Sequence, residues 1–384
     1  MTIRRTDVTV VGGGVIGLSV AAELLRRGVA VDVIDRGPIP GYATAAAAGM
    51  LAPVSEAELE DEVVLPLALD SLARFPAFVD WLERTTGLPC DYRTDGTLWV
   101  AVTRDDRAEL EHIHHTLTER IGGMPARWLS AGEVHAREPH LSGRVLCGLW
   151  VERDLQVDPR ALTAALERAI VAAGGTIERG TRVVGIIADG GVVRAVELAT
   201  PDGVARRAAG GVVLAAGAWS GHELRLPLGD LGIRPVKGQL IRLAGAPLLR
   251  HVVRHPEAYL VPRGTGELLV GATMEEVGFD PAVTAGAVHD ILRKAWQLLP
   301  GLYDLELREV SVGFRPMSRD NRPVIGPTAI AGLYLAVGHG RQGVLLAPAT
   351  AQLLADAITT GRVPEVLLPF AIDRFGGATA TVGG

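Results

Sequence analysis

Aromatic residues are scarce in this sequence, 4% of 384, and cysteine is scarcer still, present only as Cys90 and Cys147. Two cysteines so far apart build no disulfide framework and are not spaced as metal ligands. Ordinary reduced thiols of a cytosolic protein, and no metal, are expected. No block of like charge stands out, and the formal net charge is -6. A mildly acidic chain without a basic patch is a poor nucleic-acid binder, which argues against an RNA-modifying or nucleic-acid-binding module. An uninterrupted apolar leader is also missing. The run after Met1-Thr2-Ile3-Arg4-Arg5 is broken by Gly12, Gly13 and Gly14, and Glu23, Arg26 and Arg27 follow. Without that stretch or a cleavage site there is no secretion signal, and a cytoplasmic chain is expected. No run reads as long enough to cross a bilayer, and no surface helix suited to a membrane stands out.

Against these shortages stand 47 glycines, abundant alanine and a hydrophobic share of 48%. That mix suits helices packed on sheets through many tight turns. The length exceeds one simple core and points to two domains.

Val8–Val11 is a short apolar run of the kind a buried parallel strand needs. Val15–Arg27 has helical spacing, with Ile16, Val20 and Leu24 on one face and Gly28 as its stop. Val29–Ile34 reads as a second strand. Further on, Pro159–Ala173 reads as a helix starting after Asp158, with proline in its first turn. Thr176–Arg179, Val183–Ala188, Val192–Leu198, Gly211–Ala215 and Gly332–Val337 read as strands, and Gly343–Thr359 as a long helix. Segments 86–150 and 226–313 mix strand patterns, such as Thr97–Val102, Gln239–Leu243 and Glu267–Gly271, with amphipathic helices. They read as a second domain assembled from two insertions, leaving 1–85, 151–225 and 314–384 to a nucleotide-binding domain. The Gly, Ala and Thr tail, Gly376–Gly384, is expected to fray.

Gly12-x-Gly14-x-x-Gly17 falls between the first strand and the first helix, the context that makes this pattern specific. The first glycine allows a tight turn, the second lets a pyrophosphate approach the backbone, and the third lets helix and strand pack closely. The helix start at Val15 and Ile16 offers free N–H groups and a partial positive charge to phosphate. Asp35 ends the second strand roughly 20 residues further on, where an acid accepts hydrogen bonds from ribose hydroxyls. Arg36 raises the thought of NADP, but Asp35 would repel a 2′-phosphate. The motif alone does not separate FAD from NAD.

Ala46-Ala47-Ala48-Gly49-Met50-Leu51-Ala52-Pro53 resembles the flavin-contacting loop of the D-amino acid oxidase family, in particular its glycine oxidases of thiamine thiazole biosynthesis. Further segments agree in order: Val212–Ser220, Pro235-Val236-Lys237-Gly238-Gln239, Tyr259–Arg263, Val270–Met274, Gly313-Phe314-Arg315-Pro316 and Gly338–Ala349. The resemblance covers nearly the whole chain. It implies an α/β protein with a Rossmann-type FAD-binding domain and an inserted α+β substrate-binding domain. It implies non-covalent FAD in contact with Gly12, Gly14, Gly17, Asp35, Arg36, Thr44, Ala48, Gly49 and Met50. Val183 would meet the adenine through its backbone, and Gly217 and Trp219 would close the nucleotide site. His339, Gly340, Arg341, Gln342, Gly343 and Val344 would lie against the flavin ring. Arg315 would bind a substrate carboxylate with help from Tyr259, and Met274 and Arg341 would line the pocket. The sequence departs from the family pattern at Ala45, where serine is usual, at Gly340, where an aromatic is usual, and at Gln342, where asparagine is usual. It departs again at Glu257, where one glycine oxidase has histidine, and in the turn Met317–Asn321. Loss of bulk at Gly340 would widen the active site.

The chemistry implied is removal of a hydride from Cα of an amino acid to flavin N5. That yields an imine, then a 2-oxo acid and ammonia, with hydrogen peroxide from molecular oxygen. The flavin supplies the reactivity and the protein supplies binding and orientation. A carboxylate is best gripped by the planar, two-pronged guanidinium of an arginine. No general base is needed when the amine arrives uncharged, and His339 reads as a packing residue. The helix from Gly343 would point its N-terminus at the ring and stabilise negative charge there. Glycine is the expected substrate. A D-amino acid, a sarcosine-like amine or a pathway-specific amine is the alternative, and a quinone-linked dehydrogenase a further one. A homo-oligomer is left open.

Overall fold

The structure is a computed structural model that describes residues 7–39, 41–53, 63–119 and 126–376. The expectations for Met1–Arg5 and for the tail beyond Gly376 lie outside the described residues.

The first strand, Val8–Val11, is buried throughout, and it sits inside a six-stranded sheet. The sheet order is Val324–Pro327, Leu333–Val337, Val212–Leu214, Val8–Val11, Val31–Asp35 and Thr176–Arg179. All neighbours run parallel except the first pair. Alternation along each strand sends Val10, Val33 and Val213 to one face and Val11, Ile34 and Leu214 to the other. The first set packs under the helices Val15–Arg26, Leu65–Thr86, Pro159–Ala172 and Gly343–Thr360. The second set packs on a three-stranded antiparallel sheet, Val183–Asp189, Val192–Thr200 and Gly203–Ala208. A sheet covered on both faces needs the near-continuous apolar strands seen in the sequence.

The second strand begins at Val31 and not at Val29. Gly28 takes φ +82°, and the Val29 N–H donates back to the Leu24 carbonyl, closing the helix, so residue 29 is unavailable to the ladder. At the other helix foreseen from its cap, the Asp158 carboxylate accepts from the Arg160 N–H at 2.8 Å, as an N-cap should.

The segments between these pieces form an eight-stranded sheet. Its order is Glu306–Met317, Arg234–Ala244, Glu267–Gly271, Ala258–Pro262, Val252–His255, Thr97–Ala101, Cys147–Val151 and Ala126–Ser130. One face packs under the helix Ala285–Leu298 around Ile241, Val253, Leu260 and Val270. The other face turns toward the Ala-rich loop, with Leu240, Val261 and Leu269 against Ala48 and Met50.

One expectation is corrected. The helix Gly343–Thr360 is long and apolar enough to cross a bilayer, with a mean hydropathy of 1.2. It is 67% buried inside the protein, where it packs against the helices Val15–Arg26 and Leu65–Thr86. A helix apolar nearly all round is what a buried central position requires. Both cysteines are free and buried, and burial pushes the Cys90 thiol up to about 12, with Glu83 and Asp158 adding to the shift.

Candidate functional site

The glycine turn is built by contact distances that admit no side chain. Gly12 takes φ +116°, and a Cβ there would stand 2.3 Å from the Ala215 carbonyl oxygen. A Cβ on Gly17 would stand 1.9 Å from the Gly12 oxygen, so this glycine seats the helix on the strand. Gly17 lines neither of the cavities described below. Gly14, in contrast, opens onto both. The Asp35 carboxylate accepts from the Gly13 N–H at 2.6 Å and the Gly37 N–H at 2.8 Å, bracing the turn besides facing the cavity. Thr44 Oγ1 accepts from the Val15 N–H at 3.2 Å, which ties the loop before the Ala-rich run to the helix start.

Two cavities meet here and share Gly14, Ala43, Thr44, Ala215 and Gly217. The smaller, about 110 Å³, is walled by Asp35, Arg36, Tyr42, Val183 and Trp219. Arg36 stacks over the Trp219 ring at 4.5 Å and pairs with Glu223 at 2.9 Å. The larger, about 370 Å³, runs between the glycine turn and the eight-stranded sheet. Val15, Ile16, Ala48, Gly49 and Met50 line it on one side, and Tyr259, Met274 and Arg315 on the other. His339, Gly340, Arg341, Gly343 and Val344 close one end. Gln342 does not face either cavity; it caps the helix that starts at Gly343. That helix therefore points its N-terminus at the larger cavity, as the sequence suggested.

Two arginines from different parts of the chain hold the Ala-rich loop from behind. Arg160 donates to the Ala45 carbonyl at 2.9 Å and grips Glu309 with both prongs, and that pairing holds the Glu309 carboxyl down to about 2. Arg263 is buried and donates to the Ala48 and Val157 carbonyls; its burial lowers the guanidinium to about 10.

Arg315 lies half-buried on the strand Glu306–Met317, opposite Val236. Its Nη1 donates to the Thr273 carbonyl at 3.1 Å and to the Lys237 carbonyl at 3.3 Å. Among the described residues no ion pair to a carboxylate is found for it. The guanidinium rests over Gly238, where a Cβ would come within 2.5 Å of Nη1. The Tyr259 ring rests in the same way over Gly271, where a Cβ would stand 2.3 Å from the hydroxyl oxygen. These two strand glycines escaped the sequence reading as site residues, although a glycine inside a strand signals close approach of another group. Arg254, Tyr42 and Arg182, which also line the cavities, carried no local signal for that role, and Glu257 was noticed only through the resemblance. Met274 is 61% exposed and stands at the mouth.

Gly340 lines the larger cavity in a backbone conformation that side chains rarely adopt. Its φ is +56°, and a Cβ would point at the Met317 sulfur, 2.9 Å away. Gly340→Tyr is therefore expected to lower thermal stability and cofactor content, with equal losses on small and bulky substrates. A variant that keeps full activity on the smallest substrate and loses only bulky ones would restore the reading in which residue 340 sets pocket size.

His339 is buried, with Nε2 3.2 Å from Thr350 Oγ1, and desolvation pushes its pKa down from 6.5 to about 3. It is neutral at physiological pH and is no proton carrier there. The unfolded chain takes up this proton near pH 6.5 and the folded chain only near 3, so its contribution to stability is full above 6.5. It is lost as pH falls toward 3, by up to about 1.4 kcal/mol per pH unit. His339→Asn should accordingly flatten the fall of Tm between pH 6.5 and 4.5. Parallel Tm curves for the two proteins would rule this out.

Residues 7–357 match the DAO family, described as FAD dependent oxidoreductase. The chain is 36% identical over 374 residues to the bifunctional protein ThiO/ThiG of Trichormus variabilis, covering 96% of this chain and 55% of that protein. It thus spans about half the length of the bifunctional relatives it matches. It is also 36% identical to the glycine oxidase of Geobacillus kaustophilus, covering 97% of both chains. The crystal structure of that glycine oxidase superposes with a TM-score of 0.87 at 35% identity, over 96% of this chain and 99% of that one.

Proposed function

Because the chain belongs to the DAO family of FAD dependent oxidoreductases, we propose that it oxidises the amine of a small amino acid, glycine foremost, with molecular oxygen as acceptor. The products are the 2-oxo acid, ammonia and hydrogen peroxide. FAD fits the residues present. The adenosine half has an acid, Asp35, and an aromatic wall of Tyr42 and Trp219. The pyrophosphate has the Gly14 turn and the helix start, and the ring has the larger cavity, with a second helix N-terminus at Gly343. When bound, FAD supplies the hydride acceptor.

The observation that carries the substrate assignment is Arg315. A half-buried guanidinium that, among the described residues, donates from Nη1 to two carbonyls and forms no ion pair keeps donors for an incoming carboxylate. Tyr259 presses the substrate from the side, and the Ala-rich loop, fixed by Arg160 and Arg263, forms the opposing wall. Held by its carboxylate, an amino acid would present Cα to the ring that the larger cavity would hold, and orientation of this kind removes much of the barrier. The likeness to glycine oxidases supports glycine.

We assign 1–85, 151–225 and 314–384 to FAD binding and 86–150 and 226–313 to substrate binding. The membership of the two sheets supports this division except at the 313/314 boundary, which the strand Glu306–Met317 crosses, carrying Arg315 with the substrate-side sheet.

The test is direct. The purified protein should be yellow, release FAD on denaturation, and form peroxide with glycine faster than with sarcosine or D-alanine. FMN or no flavin after reconstitution with FAD would overturn the cofactor. Activity on sarcosine or D-alanine alone would move the substrate.

A further inference from the structure

Behind Arg315, on the far side of the eight-stranded sheet, lies a lysine with no exposed surface. Strand alternation puts Gly238 beneath the guanidinium and turns Lys237 and Gln239 to the opposite face. Lys237 is 0% exposed, with Nζ 3.3 Å from Asp280 Oδ2 and 3.9 Å from Glu275 Oε2. Its main chain pairs with Glu275 in both directions, each bond 2.9 Å. Glu275 Oε1 in turn accepts from Thr273 Oγ1 at 2.5 Å and from Gln239 Nε2 at 2.9 Å. Thr273 Oγ1 accepts from the Gln239 N–H at 2.9 Å. The segment 273–280 therefore starts alongside the strand Arg234–Ala244, held by main-chain bonds between Thr273 and Gln239 and between Glu275 and Lys237, and the Lys237 ammonium ties it to the back of the sheet.

The two carbonyls that aim Arg315 belong to Thr273 and to Lys237 itself. Both positions are set by the same anchor. Burying an ammonium adds little net stability over an apolar side chain of similar volume, so geometry is the better account of a lysine here. We infer that Lys237, through its ion pairs with Asp280 and Glu275, is a positioning residue for the Arg315 carboxylate clamp. This rests on the reading of Arg315 given above. Without the ammonium, Glu275 and Asp280 lose their shared counter-charge, the stretch after Glu275 loosens, and the strain on the main-chain pairing of residues 273–275 shifts the Thr273 and Lys237 carbonyls relative to Nη1. The guanidinium then samples several orientations over Gly238, and the substrate carboxylate meets its best geometry only part of the time.

The experiment uses the FAD-loaded enzyme and three single variants: Lys237→Met, Asp280→Asn and, as reference, Arg315→Leu, with the double variant Lys237→Met/Asp280→Asn. Steady-state kinetics on glycine are measured beside the Kd of acetate, a bare carboxylate, read from the perturbation of flavin absorbance. A misplacement of about 1 Å can cost about 100-fold. Lys237→Met should therefore raise KM for glycine and Kd for acetate together by about 10- to 100-fold. The limiting kcat should fall less than about threefold and FAD content should hold. Asp280→Asn should show the same pattern more weakly, and the double variant should be no worse than Lys237→Met, because both changes remove one interaction. Should Lys237→Met fail to fold, Asp280→Asn carries the test on the same acetate measurement. Acetate binding and KM at parent values in both variants, or losses confined to kcat and FAD content, would overturn the inference. If Arg315→Leu itself binds acetate like the parent, the clamp assignment falls instead.

Discussion

Arg315→Leu is expected to lower kcat/KM for glycine by about 30-fold to several thousand-fold, an effect of about 2–5 kcal/mol. The substitution removes the charge and both donors while keeping bulk over Gly238. A substrate carboxylate would then sit in a cavity between the sheet and the Ala-rich loop with no opposite charge supplied at that position. Loss of one member of such a pair leaves the other desolvated and alone, which is why the cost exceeds that of an ordinary hydrogen bond. The Thr273 and Lys237 carbonyls would lose their donor as well. FAD content should remain near that of the parent, because Arg315 lines the larger cavity from the eight-stranded sheet, apart from the glycine turn and Asp35. Arg315→Lys should recover only part of the loss, since an ammonium cannot reproduce the two-pronged geometry. The measurement is steady-state peroxide production with a flavin count per chain. A leucine variant with parental KM and kcat would remove Arg315 from the site, and Arg341, at the other end of the same cavity, would become the candidate.

Gly17→Val should yield a protein that binds FAD at least about 100-fold more weakly and melts several degrees lower. The first side-chain atom alone would stand 1.9 Å from the Gly12 oxygen and 3.3 Å from the Ala215 Cβ. Both Gly12 and Ala215 are fixed, Gly12 by its bond to the Ile34 carbonyl and Ala215 by its bond to Val11. The only relief is for the helix Val15–Arg26 to retreat from the strand. Overpacking of this kind typically costs about 1–3 kcal/mol, and more where backbone cannot shift. The retreat also carries the helix N-terminus away from the phosphates, which removes its N–H donors and partial charge together. Flavin absorbance after dialysis, and Tm with and without added FAD, would check both parts. Parental FAD affinity in the valine variant would mean that close packing at residue 17 does not set the phosphate site.

The nucleotide half was readable because its signals are local. Gly12, Gly14 and Gly17 fall within one strand–turn–helix unit, and Asp35 closes the next strand, so chain continuity alone brings them together. The substrate half was readable only through resemblance. Arg315 and Tyr259 lie on different strands of one sheet, and no spacing in the chain announces that they face the same cavity. Gly340 was read as missing bulk, because a sequence gives a residue's size but not its direction; at φ +56° the missing atom points at Met317 and not at substrate.

By itself the sequence determined the strand–helix–strand frame, the glycine turn with its acid, and the apolar strands of a sheet covered on both faces; the Ala-rich loop was placed only through resemblance. Each of the first three follows from periodicity or steric demand within a few tens of residues. The tertiary structure alone decided which face each strand of the larger sheet presents. It set Gly238 and Gly271 under the Arg315 and Tyr259 side chains, buried Lys237 on the face of the sheet opposite Arg315, and placed Arg160 and Arg263 behind the loop. Those placements depend on strand register, in which a slip of one residue exchanges the two faces, and register is settled by pairing between segments far apart in the chain.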